Sequence, residues 1–129
     1  MKKPFQGINI QWPISELILK GDKTIETRTY PIPSKLLNQD LVMVETPGKL
    51  GKFKARNVAI IRFTECFPYT SKEEFYMDYD RHKVLPESIW AWREEAPKWG
   101  WKVEVLKLIS PPQECQSRGI VYRSNIRLQ

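Results

Sequence analysis

Short alternating apolar runs between prolines and glycines limit this chain more than any other feature. Ten prolines and six glycines punctuate 129 residues. Between them, apolar and polar residues tend to alternate, the pattern of half-buried strands whose side chains point to opposite faces at each step. Ile8 and Ile10 alternate with Asn9 and Gln11 over Gly7 to Gln11. Thr24 to Tyr30 is rich in Thr and Ile and ends at Pro31 and Pro33. Leu41 to Thr46 is a further strand, closed by the turn Pro47-Gly48-Lys49-Leu50-Gly51. Arg56 to Phe67 is apolar on both faces, which predicts a central strand. Trp101 to Ile109 alternates until Pro111-Pro112 break it, and Gly119 to Leu128 is the last strand.

Two short helices fit between. Pro13 suits a first helical position, Ile14, Leu17 and Ile18 make one apolar stripe, and Gly21 stops it. Ser71 with Glu74 three residues on is a capping box, followed by Phe75, Tyr76 and Tyr79 on one side. Asp80 to Pro86 reads as loop. A hydrophobic share of 41% at this length supports one core, so residues 1–129 form a single domain. Five to seven strands with two helices predict an α+β fold: a small, mostly antiparallel β-barrel with flanking short helices.

Composition excludes several classes. No apolar run approaches the roughly 20 residues of a membrane helix, and no signal peptide is readable behind Met1. The expectation is an intracellular, cytoplasmic protein. Cys66 and Cys115 make neither a disulfide framework nor a metal-spaced pair. Asp78, Asp80 and His82 cluster without the spacing of a metal site, so no metal and no cofactor are expected.

The densest chemistry lies in Gly21-Asp22-Lys23-Thr24-Ile25-Glu26-Thr27-Arg28. On an extended strand Thr24, Glu26, Arg28 and Tyr30 share a face, with Lys23 at the turn that feeds it. The carboxylate can hold either cation, and the cations can bind a phosphate or polarise a carbonyl. The plainer reading is a solvated strand face with a Glu–Arg pair.

Charge is unevenly placed within the net +6. Met1 to Thr64 carries 11 basic and 5 acidic residues, while Glu65 to Glu95 carries 8 acidic and 4 basic. Lys49, Lys52, Lys54 and Arg56 follow one another without an acid, as a hairpin tracking a nucleic-acid backbone would, or as one kept soluble by its lysines. Four of the five tryptophans fall between Trp90 and Trp101. Trp101 alternates with Val103 and reads as core, whereas Trp90 and Trp92 suit a loop lid that stacks on a base. Glu65, after the long strand, is a candidate second carboxylate or a surface turn residue.

The run Gly21, Lys23, Thr24, Glu26 and Arg28, preceded by a strand and a Pro-containing helix start, resembles the opening of the ASCH domain family, position by position. Val58 to Pro68, Trp99-Gly100-Trp101, and Pro111-Pro112 followed by Arg118-Gly119-Ile120 resemble it more loosely. Many members carry a Gln before the helix-starting Pro and a Trp after it; here Trp12 and Ile14 stand there, so Trp12 is counted with the ligand-binding candidates. The resemblance implies a PUA-like barrel with a cleft lined by Lys23, Glu26 and Arg28, holding RNA or a modified nucleoside or nucleotide. Some bacterial members resemble amidohydrolases with a Thr nucleophile three residues after the lysine. That place is Glu26 here, which would leave Lys23 to polarise and Glu26 to act as base. An RNA- or nucleotide-binding module is therefore the leading expectation. A hydrolase of amidohydrolase or ribonuclease type, acting on a modified nucleoside or RNA, and a docking domain for an acidic protein stand behind it.

Overall fold

The computed structural model describes residues 3–129. The chain runs as β1 (Phe5–Gln11), α1 (Ile14–Leu19), β2 (Ile25–Arg28), a 3-10 turn at Ser34–Leu36, β3 (Leu41–Thr46), β4 (Arg56–Pro68), α2 (Lys72–Met77), α3 (Tyr79–His82), β5 (Trp99–Glu114) and β6 (Tyr122–Ile126). All six strands form one sheet in the order β2-β5-β4-β3-β1-β6. Every pairing is antiparallel except that of β1 with β3. The fold is α+β, with few and short helices.

The expected barrel does not close. Among the described residues no backbone ladder joins β2 to the opposite edge at β6. The sheet curls instead, and the gap is bridged by a side chain: Arg28 on β2 donates to the Asn9 carbonyl on β1 at 3.1 Å. β2 is only four residues long, and its one ladder is with β5. A cleft is left where a closed barrel would have hydrogen bonds.

The inner face of the curl holds the main core, with Ile8, Ile10, Met43, Ile61, Phe63 and Trp101 all at most 1% exposed. β4 and β3 lie at the centre of the sheet, as the two-faced apolar pattern of β4 predicts. β3 packs Leu41 and Met43 inward and Val42 and Val44 against Ile126 on the other face. A smaller cluster of Tyr69, Phe75, Val84 and Trp92 joins α2, α3 and the segment after them. Ser71 caps α2, its Oγ accepting from the Glu74 amide at 3.0 Å.

Strand ends shift by a few residues, β2 being Ile25–Arg28 rather than Thr24–Tyr30 and β6 Tyr122–Ile126 rather than Gly119–Leu128, and two further differences alter the elements themselves. Asp80 to His82, the start of the expected loop, belong to the single turn α3, closed by Lys83 in the left-handed region at φ 61°. Pro111-Pro112 do not end β5. Pairing passes from Asn57 with Gln113 to Ala59 with Leu108, so the prolines occupy a large bulge where the ladder asks for no N–H. No helix among the described residues is long and apolar enough to cross a membrane.

Candidate functional site

Gly21 ends α1 at φ +84°, a conformation that favours glycine, and turns the chain into Lys23 and β2. Thr24 then fixes the backbone. Its amide donates to the Arg81 carbonyl and its carbonyl accepts from Val103, both at 2.9 Å. Lys23 and Glu26 are buried, at 4% and 7% exposure. The Lys23 ammonium donates to the His82 carbonyl at 2.5 Å and stands 3.8 Å from Glu26 Oε1. Arg28 reaches Glu26 Oε2 at 3.2 Å, and its guanidinium lies 5.5 Å from the centre of the Trp101 ring. Lys23, Glu26 and Arg28 are thus one connected group over the core tryptophan.

Burial holds Lys23 below the ordinary lysine range, and Arg28 pushes the same way against the opposing pull of Glu26. For Arg28, burial works against the charged form, but Glu26 and Tyr30 outweigh it and raise its pKa. His82 is structural rather than ligating. Its ring nitrogens contact the Phe75 carbonyl at 2.6 Å and the Val84 amide at 2.9 Å, which calls for a neutral ring with the proton on Nε2. Burial correspondingly lowers its pKa. The ring's fixed position aims the His82 carbonyl at Lys23.

These groups form the floor of a cleft of about 280 Å³ between β1, β2 and the 84–90 segment. It continues into an outer lobe of about 230 Å³ that shares Gln11, Ile14, Lys23, Val84 and Trp90. Trp90 (44% exposed) and Ile120 (95% exposed) stand at the mouth. A larger depression of about 570 Å³ lies elsewhere, beside Lys3, Lys107 and Arg127, but no side chain lining it is fully buried. Chemistry that needs desolvated charge belongs to the smaller cleft.

The other sequence candidates separate. Trp12 borders the outer lobe and donates to Glu16 at 2.9 Å. Trp92 is not a lid. It is 9% exposed, packs on Phe75 and donates to Glu94 at 3.0 Å, because its neighbours supply an aromatic cluster that buries it. Glu65 is exposed beside a register shift of β4 and does not line the cleft. Lys49 and Lys52 are exposed on the β3–β4 connection, and Lys54 pairs loosely with Glu114 at 3.5 Å. Arg56 is no free phosphate contact. It donates to buried Glu45 at 2.8 Å, which also accepts from Ser15 at 2.5 Å, and its guanidinium covers the Phe53 ring. A carboxylate buried in the core of β3 needs that cation.

Sequence reasoning passed over Asn9, every polar group of which is used. Its side-chain amide donates to the Gly119 and Ile120 carbonyls at 3.0 and 2.8 Å, and its Oδ1 accepts from Arg123 at 2.7 Å. Its backbone amide donates to Val121 and its carbonyl accepts from Arg28. Asn9 therefore ties the loop that carries Ile120 to the Arg28 end of the cleft floor. Nothing in the alternation of Ile8, Asn9 and Ile10 marked it as more than a polar strand position. Ile120 was also missed, since an apolar loop residue carries no local signal.

Compared with models of known protein families and with curated proteins, the chain has no match.

Proposed function

We propose that the chain is an ASCH-type domain of the PUA-like superfamily whose cleft holds one nucleotide, free or unpaired within an RNA, in a cytoplasmic setting. The observation that carries this is the buried Lys23–Glu26–Arg28 group lying beneath a mouth made by exposed Trp90 and Ile120. An exposed aromatic over fixed charged donors suits a base that stacks and a polar remainder that is held by charge. At about 280 Å³ the cleft takes one unstacked base rather than a duplex. The exposed Lys49 and Lys52 lie on the loop where Gly48 adjoins Gln11 at the cleft wall, placed to meet a flanking strand.

The hydrolase reading has less support. Glu26 Oε1 accepts from the Thr27 amide at 3.1 Å and faces Lys23, while Oε2 accepts from Arg28. A carboxylate so occupied is a poor acceptor for a proton from water.

The test is Trp fluorescence and thermal shift against the four common and several modified nucleotides and short single-stranded RNAs, with Trp90→Ala as the control. Ligand binding raises the melting temperature by mass action. No shift with any of them at low salt, or equal shifts in parent and Trp90→Ala, would dismiss the cleft.

A further inference from the structure

The Watson–Crick edge of a base sets N–H donors beside acceptors, so a site that reads it must offer both. The cations lining the two lobes of the cleft, Lys23, Arg28 and Lys83, supply donors alone. Several side-chain acceptors there are already committed. Glu26 faces Lys23, Arg28 and the Thr27 amide, Asn9 Oδ1 accepts from Arg123, and Ser88 Oγ accepts from the Trp90 amide. The lining side-chain acceptors left without a hydrogen bond among the described residues are those of Gln11, Thr27 and Thr46. Gln11 stands apart from the two threonines by position and by chemistry. Of the five residues shared by both lobes, Ile14, Val84 and Trp90 are apolar and Lys23 is a cation, so Gln11 is the one neutral polar side chain where the lobes meet. It ends β1, in register with Thr46 on β3. Its amide rests on Gly48, where a Cβ would lie 2.4 Å from Gln11 Nε2, so glycine there leaves the amide its room. An amide holds a donor and an acceptor in one plane. Ile14, Val84 and Trp90 supply the apolar surface on which a flat ring lies.

Resting on the nucleotide reading of this cleft, we propose that Gln11 is its specificity-determining residue, the amide pairing with the Watson–Crick edge of a base stacked at Trp90. The amide donates to the acceptor of that edge and accepts from its N–H. The ligand class is thereby a base whose Watson–Crick edge is free, in a mononucleotide or in an unpaired stretch of RNA. A base paired in a duplex, or one whose edge N–H groups are replaced by methyl groups, leaves the Gln11 oxygen without a donor and loses affinity.

The experiment measures affinity by calorimetry for the four nucleoside 5′-monophosphates and for their neutral edge-methylated counterparts. These carry N6,N6-dimethyladenine, N4,N4-dimethylcytosine, 1-methylguanine and 3-methyluracil. A short single-stranded RNA of the base bound best completes the set. It is repeated with Gln11→Leu, which keeps the bulk and removes the hydrogen bonds, and with Gln11→Glu, which can only accept. Gln11 is exposed, so neither change disturbs the core. The expected result is that edge methylation weakens binding to the parent on the order of 10–100-fold, the worth of a bidentate amide–base pair. In Gln11→Leu the unmethylated ligand falls to meet the methylated one. In Gln11→Glu preference moves toward guanine, whose N1–H and N2–H lie side by side for a carboxylate. Tighter binding of the RNA than of the mononucleotide supports an unpaired strand; equal or weaker binding supports a free nucleotide. A methylation penalty that survives undiminished in Gln11→Leu is rejection by shape and overturns the role of Gln11. Equal binding of methylated and unmethylated ligands by the parent overturns the inference and leaves the nucleotide cleft standing. Binding of none of these ligands by the parent overturns the nucleotide reading itself.

Discussion

Replacing Glu26 by Gln tests whether the floor of the cleft is a mutually dependent set of buried charges. The amide keeps the shape and leaves an oxygen to accept from the Thr27 amide, so the change isolates the charge. Lys23 stands 3.8 Å and Arg28 3.2 Å from the carboxylate. At such separations a pair interacts by about 4 kcal/mol at an effective dielectric constant of about 20. Removing the shared partner of a buried pair costs about 3–5 kcal/mol, because the remaining charges stay desolvated. For a domain of this size that is a fall of roughly 10–20 °C in melting temperature.

The loss has a pH signature. Burial already holds the folded-state pKa of Lys23 below its ordinary value, and Glu26 is what pulls it back up. Without Glu26 it falls further. Between the folded and the unfolded pKa the unfolded chain binds more protons, so stability rises with pH across that window. Glu26→Gln widens the window downward, and part of the deficit is recovered as Lys23 sheds its proton. Urea denaturation at about pH 7 and about pH 9.5 therefore gives a smaller difference between parent and variant at the higher pH. A variant as stable as the parent at neutral pH, or a deficit equal at both, would refute the idea that these three charges depend on one another.

Three further outcomes follow from side-chain placement. Trp90→Ala weakens nucleotide binding by about 1–3 kcal/mol with little change in urea midpoint, whereas Trp92→Ala lowers stability by about 3–5 kcal/mol, and an equal effect of the two on stability would contradict their placement. A Cβ on Gly119 would lie 1.9 Å from the Tyr122 carbonyl oxygen, so Gly119→Ala displaces the Ile120 loop and weakens ligand binding; unchanged affinity in titrations of that variant would show that Ile120 is no part of the mouth. Lys49→Ala with Lys52→Ala leaves affinity for a mononucleotide unchanged but flattens the salt dependence of single-stranded RNA binding by about 0.7 per lost phosphate contact, and an unaltered salt slope would take this loop off the RNA path.

The strand content was legible because alternation is a local property. Ile8 and Ile10 face the core whatever their partners are, and β4 announces its central place by being apolar on both faces. Closure was not legible, since whether six strands meet depends on the length and tilt of β2 and β6, which no residue pattern encodes. The break assigned to Pro111-Pro112 failed for a related reason. Proline forbids a ladder hydrogen bond, but a bulge needs none at that place. Trp92 and Arg56 show the same limit in the site. Each side chain suits a nucleic-acid contact by type, and each is claimed by a partner that local pattern does not reveal: Phe75 on α2 for one, Glu45 opposite it on β3 for the other.

The Lys23–Glu26–Arg28 group was legible because its three members lie within six residues and the strand period brings Glu26 and Arg28 to one face. What could be seen only in three dimensions is that Lys23 and Glu26 are buried and that the group lines a cleft whose mouth is made by residues far along the chain, Trp90 and Ile120. A Glu–Arg pair with one lysine is a common way to satisfy a strand edge, and the plainer reading would account for an exposed one. It does not account for the burial, since apolar side chains of the same shape would pack there without desolvating charge. Such a position is one where a fold gives up stability for binding.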